Sequence, residues 1–311
     1  VTGAGQGIGA GGLAALGQVI MADIISPRER GKYMGLFGAV MAVATIGGPL
    51  LGGVIADVWG WRWNFFVAVP VAVLALIIVQ TTLHLPQRAP GKTTIDYLGI
   101  VLLSVAVGLL LVWVSLAGEQ FEWASWTTVW MVGVAAVATV LFIVIELRSK
   151  EPLIPLNLFR DLTFTLSVIA SIATGLAMFG ASVFLSQYMQ LARGATPTEA
   201  GIMTIPMIGG LLVSSIGVGA LVTRFGKWKI YLVVGAILLT AGSYLLSTIH
   251  YDTNFALVSL YMAALGAGVG MTMQNLVLVV QNTTAPERIG VASSGVTFFR
   301  SLGGTVGVAV M

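Results

Sequence analysis

Residues 33–56 read YMGLFGAVMAVATIGGPLLGGVIA, an uninterrupted stretch without a single charge. As a helix it would rise about 36 Å at about 1.5 Å per residue, enough to cross the roughly 30 Å hydrocarbon core of a bilayer. A helix in water needs a polar face, and this stretch has little beyond Tyr33 and Thr45 to make one. It therefore predicts a membrane-crossing helix. Within it, Ala44, Gly48 and Gly52 recur every four residues and form a smooth ridge that lets a neighbouring backbone approach. Pro49 removes one backbone donor and bends the helix, and Gly53 completes the string ATIGGPLLGG at 44–53. Counted from Tyr33, that string lies in the outer half of the bilayer.

The rest of the chain has the same character. Of 311 residues, 57% are hydrophobic and 9% charged, against about 25% charged in an ordinary soluble domain. Mean hydropathy is +0.97. Apolar run length predicts ten spans, at 3–24, 33–56, 64–83, 97–117, 127–147, 163–190, 198–222, 229–249, 254–280 and 291–311. The expected fold is an all-α polytopic membrane protein. The first run has full span length and is no cleavable leader, and the last stops without a closing loop, so the chain reads as an internal piece of a longer protein. Without cysteine there are no disulfides or thiolate metal sites, and His84 and His250 both fall in predicted loops, so no metal site is expected.

The loops give an orientation. Arg28, Arg30, Lys32, Arg88, Lys92, Arg148, Lys150, Arg160, Arg224, Lys227, Lys229 and Arg288 fall in alternate loops, and the loops between hold only Arg62 and Arg193. That alternation is the positive-inside pattern, placing the basic loops in the cytoplasm and the start of the chain outside. The net charge of +3 thus reflects loops facing anionic lipid and points to no nucleic-acid partner.

The opening, TGAGQGIG at 2–9, is similar to the phosphate loop of short-chain dehydrogenases, which makes a membrane-bound NAD(P) oxidoreductase one alternative. That loop requires a preceding strand, yet only Val1 stands before it, and no Tyr has Lys four residues on. A repeat explains the glycines better. Gly7, Gly9 and Gly11 match Gly266, Gly268 and Gly270 at one offset, which also carries Asp23 onto Asn282 and SPRERG (26–31) onto APERIG (285–290). Both copies run in the same direction, as between two halves of a transporter.

The string at 44–53 resembles the antiporter motif of the major facilitator superfamily, G-x-x-x-G-P-x-x-G-G, with Ala44 in place of the first glycine. WRWNFFVAVP (61–70), EPLIPLNLFR (151–160) and SQYMQLARGATPTEAG (186–201) resemble segments of its 14-span drug:proton antiporter branch, in the order of helices four to thirteen. That resemblance implies a two-bundle transporter truncated at both ends. Residues 1–83 would be three spans of the N-terminal bundle, 84–160 two extra central spans, and 161–311 five spans of the C-terminal bundle. Gln6, Gly7 and Gly9 match the fourth-helix motif R-x-x-Q-G-x-G, Gly11 extends its glycines, and the Arg position falls on Gly3. GALVTRFGKWK (219–229) resembles the cytoplasmic G-x-L-x-D-R-x-G-R-K motif through Arg224, Gly226 and Lys227, with Thr223 replacing Asp. Asp23 takes the position of that latch's acidic partner, while Thr223 and Asn282 are neutral. The first half is thus expected to keep a charged latch that the second has lost.

Ionisable and polar groups within spans mark the remaining candidates. Arg300 lies near the midplane of the last span, facing either the central cavity or carbonyls of a neighbouring helix. No carboxylate falls near a span centre, so no proton carrier is visible. Gln187, Tyr188 and Gln190, with Gln274 and Asn275, are candidate substrate contacts, and Met178, Phe179, Met271 and Met273 a candidate adaptable wall. The expectation is a non-enzymatic multi-pass exporter of the cell membrane. It would act as a monomer in the lipid bilayer, moving apolar or cationic small molecules by proton-coupled antiport and alternating access, without cofactor. A dedicated exporter of one endogenous metabolite is the alternative within the same class.

Overall fold

The computed structural model describes residues 9, 12–13, 16–21, 24–26, 29–60, 62–82, 96–118, 120–149, 152–285 and 288–310. Residues 16–21 are helical. Ten helices follow among the described residues: α1 (Arg30–Trp59), α2 (Trp63–Thr82), α3 (Tyr97–Leu116), α4 (Trp126–Arg148), α5 (Leu162–Leu191), α6 (Pro197–Met203), α7 (Ile205–Phe225), α8 (Trp228–Ser247), α9 (Phe255–Thr283) and α10 (Ile289–Val310). A 3-10 turn, Leu156–Arg160, precedes α5. Among the described residues there is no strand, only an isolated bridge between Ala117 and Phe121.

Seven segments among the described residues are long and apolar enough to cross a membrane. One of them, Thr198–Phe225, joins α6 to α7. α10 has the length, but its serines, threonines and glycines, together with Arg300, dilute its hydropathy. The helix starts follow from local chemistry. Asp96, Ser125, Asp161 and Asn254 each accept a backbone N–H at the first turn of α3, α4, α5 and α9. Thr196 and Glu199 form a full capping box on α6, with Pro197 at its first position. Gly226, at φ +67°, ends α7 in the left-handed region. The expected spans 33–56 and 291–311, as α1 and α10, are not among the seven, and the expected span 198–222 is present but kinked. The run 198–222 breaks at Thr204, because Pro206 has no N–H and its ring clashes with a continued helix.

α9 is the axis of the packing. It lies against α7, α8, α5, α1 and α10, and every residue from Thr272 to Gln281 is buried. Its glycines allow this crowding. A Cβ at Gly266 would overlap the Met207 carbonyl on α7, and one at Gly268 would stand 2.7 Å from Leu239 Cα on α8. One at Gly270 would collide with Ser214 on α7. Around this axis Met178, Leu185, Met189, Met207, Leu211, Met262 and Met273 form the largest buried apolar cluster. α2 buries no residue, so its apolar surface faces outward, as a lipid-facing helix requires. α3 and α4 pack on each other as a hairpin whose α3 reaches α10.

Candidate functional site

The sequence motifs meet where α1 crosses α7. At the end carrying the basic loops the helices touch backbone to backbone. A Cβ at Gly35 would stand 2.6 Å from the Ser215 carbonyl oxygen, and one at Gly219 2.9 Å from Gly35 Cα. Ser215 Oγ donates to the Gly35 carbonyl at 2.9 Å, in buried surroundings. One turn further, a Cβ at Gly38 would meet both Ser215 Oγ and Gln274 Cγ. Beyond that lies a groove of about 360 Å³ lined by Ala39, Val40, Val43, Ala44 and Leu212, while α1 keeps contact with α6. The ridge expected at 44–53 begins in this groove. No atom lies within 4 Å of where a Cβ would stand at Gly48 or Gly53, whereas Gly52 accepts the Asn64 side-chain amide of α2 at 3.1 Å. The side chain of Pro49 lies outside the described residues.

Gln274 sits at the end of that contact. It is buried, and neither its Oε1 nor its Nε2 has a partner. A carboxamide left unpaired in an apolar interior costs about 1–3 kcal/mol. Neighbouring Asn275 satisfies itself by donating to the Met271 carbonyl at 2.6 Å. Arg300 is buried too, and its Nη1 donates to the Met273 carbonyl of α9 at 3.2 Å. Of the two environments open to it from sequence, the carbonyl of a neighbouring helix is the one observed. The Arg300 main chain presses on α5 at Gly175.

A second assembly lies at the basic end. A cavity of about 280 Å³ gathers Gly31 of α1, Thr223, Arg224 and Gly226, and Asn282 of α9. The resembled cytoplasmic motif and the neutral mate of Asp23 thus face one space. Lys227 stands at the start of α8, outside that lining. Asp23, Gln6, Gly7 and Gly11 lie outside the described residues, and Gly9 has no atom within 4 Å of a Cβ position.

The other candidates do not gather at Gln274. Gln187 is exposed, and Gln190 bonds Ser186 at 3.0 Å. Tyr188 donates to the His250 carbonyl at 2.6 Å and accepts from Arg193 Nε at 3.1 Å. Met178 and Met273 share the large buried cluster, and Phe179 packs between it and Gly304. Met271 turns instead toward Gly235 of α8. Sequence reading missed a polar seam near the basic end. Thr297 Oγ1 donates to Gln18 Oε1 at 3.0 Å, and Gln281 Nε2 donates to Ser293 Oγ at 3.1 Å, all within buried or half-buried surroundings. The signal was present, since Ser293, Thr297 and Arg300 are spaced four and three apart and share one helical face.

The sequence model described as Major Facilitator Superfamily matches residues 1–96 and 93–308. The chain belongs to the major facilitator superfamily. An uncharacterised MFS-type transporter of Mycobacterium tuberculosis is 41% identical over 98% of this chain and 44% of its own length. The multidrug transporter protein MdtP of Bacillus subtilis is 33% identical over 98% of this chain and 56% of its own. The multidrug resistance protein Stp of M. tuberculosis is 31% identical over the same shares. The chain spans about half the length of the curated relatives it matches. The family match takes in the glycine-rich opening, which sides against reading TGAGQGIG as a dehydrogenase loop.

Proposed function

We propose that this chain belongs to an exporter of apolar or cationic small molecules in the cell membrane, working by proton-coupled antiport and alternating access. Ten spans, a two-bundle fold truncated at both ends and cytoplasmic basic loops are part of this proposal. The first bundle would take residues 1–83, the central hairpin 84–160 and the second bundle 161–311. The protein would act as a monomer and use the proton gradient in place of a cofactor.

The observation that carries this reading is the seam where α1 packs on α7 backbone to backbone from Gly31 to Gly38, with the unpartnered amide of Gln274 at its end. Two bundles that meet along a seam of glycines can rock against each other about a site between them. Gln274, whose side chain a Cβ at Gly38 would touch, supplies an unsatisfied amide for a substrate or a water. The multidrug names of two relatives support the substrate class. The test is efflux of a panel of lipophilic cationic dyes from cells expressing the intact protein, with and without an uncoupler. Efflux that stops with the gradient is expected; efflux indifferent to the uncoupler would overturn antiport.

A further inference from the structure

Two hydroxyls of the second half reach across to the first near the basic end. Thr297 Oγ1 of α10 donates to Gln18 Oε1 on the helical segment 16–21 at 3.0 Å. Ser215 Oγ of α7 donates to the Gly35 carbonyl of α1 at 2.9 Å. Gln18 and Ser215 are both buried, so bulk water does not compete for these bonds while the seam is shut. Gln281 of α9 is not a third member. Its Nε2 gives its short bond, 3.1 Å, to Ser293 Oγ within the second half and stands 3.5 Å from the Gln18 carbonyl.

Thr297 has a second acceptor. Its Oγ1 also stands 3.0 Å from the Ser293 carbonyl, one turn back on α10. A hydroxyl carries one proton, so the bond across the seam and the bond within α10 are alternatives. When the seam parts, that proton turns to the Ser293 carbonyl and the hydroxyl is never left unpaired. Ser215 has the same recourse, since a helical serine can turn its hydroxyl to a carbonyl of the preceding turn. Its neighbour Ser214 does so, donating to the Leu211 carbonyl at 3.1 Å. A charged pair has no such recourse, because parting it in an apolar seam strands a charge on each side.

We propose that Thr297 and Ser215 form an uncharged latch between the two halves, which opens by exchange of hydrogen-bond partners. The latch rests on the two-bundle reading above and gives it two positioning residues. With the seam shut, the hydroxyls hold α10 to the segment 16–21 and α7 to α1. With the seam parted, each hydroxyl bonds its own helix, and Gln18 turns to water. Each bond shifts the balance of shut and parted states by a modest factor, so the latch biases the cycle without locking it. It acts at the end where Thr223 and Asn282 provide no charge.

The chain has no cysteine, so Val218→Cys, buried against Met34 of α1, gives the seam a single reporter thiol. Val258→Cys, buried within the second half, is the control. The measurement is the rate of alkylation by N-ethylmaleimide in the intact protein, with any further cysteine replaced by serine. Thr297→Val keeps the volume and removes the donor. It should raise the rate at Val218→Cys about tenfold, the factor for a buried acceptor that loses its donor. Ser215→Ala should raise it about threefold, since the Gly35 carbonyl keeps its own helix bond. Thr297→Ser keeps the hydroxyl and should react as the parent does. Gln18→Met combined with Thr297→Val should be no faster than the faster single variant, because both remove one bond. Rates at Val258→Cys should not move in any of these. An equal rise at both cysteines would make the hydroxyls plain structural supports and overturn the latch. Multiplying effects in the double variant, or a Thr297→Ser rate matching that of Thr297→Val, would do the same. Val218→Cys unreactive throughout would overturn the two-bundle reading along with the latch, whereas a reactive parent with unchanged variants would overturn the latch alone.

Discussion

Gln274 and Arg300 pose opposite problems within a few residues' reach. Gln274 is a neutral group with two unmet hydrogen-bonding atoms, and Arg300 is a charge met, among the described residues, by a carbonyl. Replacing Gln274 by Leu removes the unmet amide while nearly preserving volume. Thermal unfolding in detergent should show a gain of about 1–3 kcal/mol, while efflux falls at least tenfold if the amide serves the substrate. Arg300→Met should leave stability equal or higher, since no carboxylate would be stranded by losing the cation, yet efflux should fall. A stability loss above about 2 kcal/mol would instead make Arg300 a structural strut. Both residues were legible in the sequence as polar groups in apolar runs. Gln18 and Gln281 obey the same rule and were overlooked, because their shared surroundings depend on segments far apart in sequence.

At the scale of elements, the two ends of α1 should respond differently to added volume. Gly35→Leu drives a side chain into the Ser215 backbone, which cannot yield as a side chain end can, and should cost about 1–3 kcal/mol. Gly48→Ala meets no atom within 4 Å and should change unfolding by less than about 0.5 kcal/mol. Equal costs would refute the difference in packing between Gly35 and Gly48. Helix positions were read well from sequence where caps coincide with the ends of apolar runs: the run 163–190 became Leu162–Leu191, starting at Asp161. The break between α6 and α7 was not read, because Thr204 and Pro206 lie inside an apolar run, and run length is insensitive to a kink. That Gly48 meets no neighbour was likewise invisible, since a small-residue ridge licenses close approach without requiring it.

For the whole molecule, the composition and loop charges made a polytopic membrane protein legible, and the family match agrees with it. The position of the hairpin against α10 was not legible, because helices in lipid choose partners by shape, which hydropathy does not encode. The cavity holding Thr223, Arg224 and Asn282 bears on the two halves together. A charge swap at Asp23 to Lys should reduce efflux more than Asn282→Lys, and equal effects would remove the idea of a one-sided latch. The glycines of α9 have a further consequence. Gly266 and Gly270 press on α7 and Gly268 on α8, and two residues turn a helix by about 200°, so consecutive contacts fall on opposite sides. Leu265 and Val269 are buried as well, so a saturation scan of 264–272 should find its tolerance confined to the half-buried positions 264, 267 and 271. Those positions lie three and four apart on one face, so a helix clamped between two others would keep its helical period in the scan and show in it the single face left less crowded.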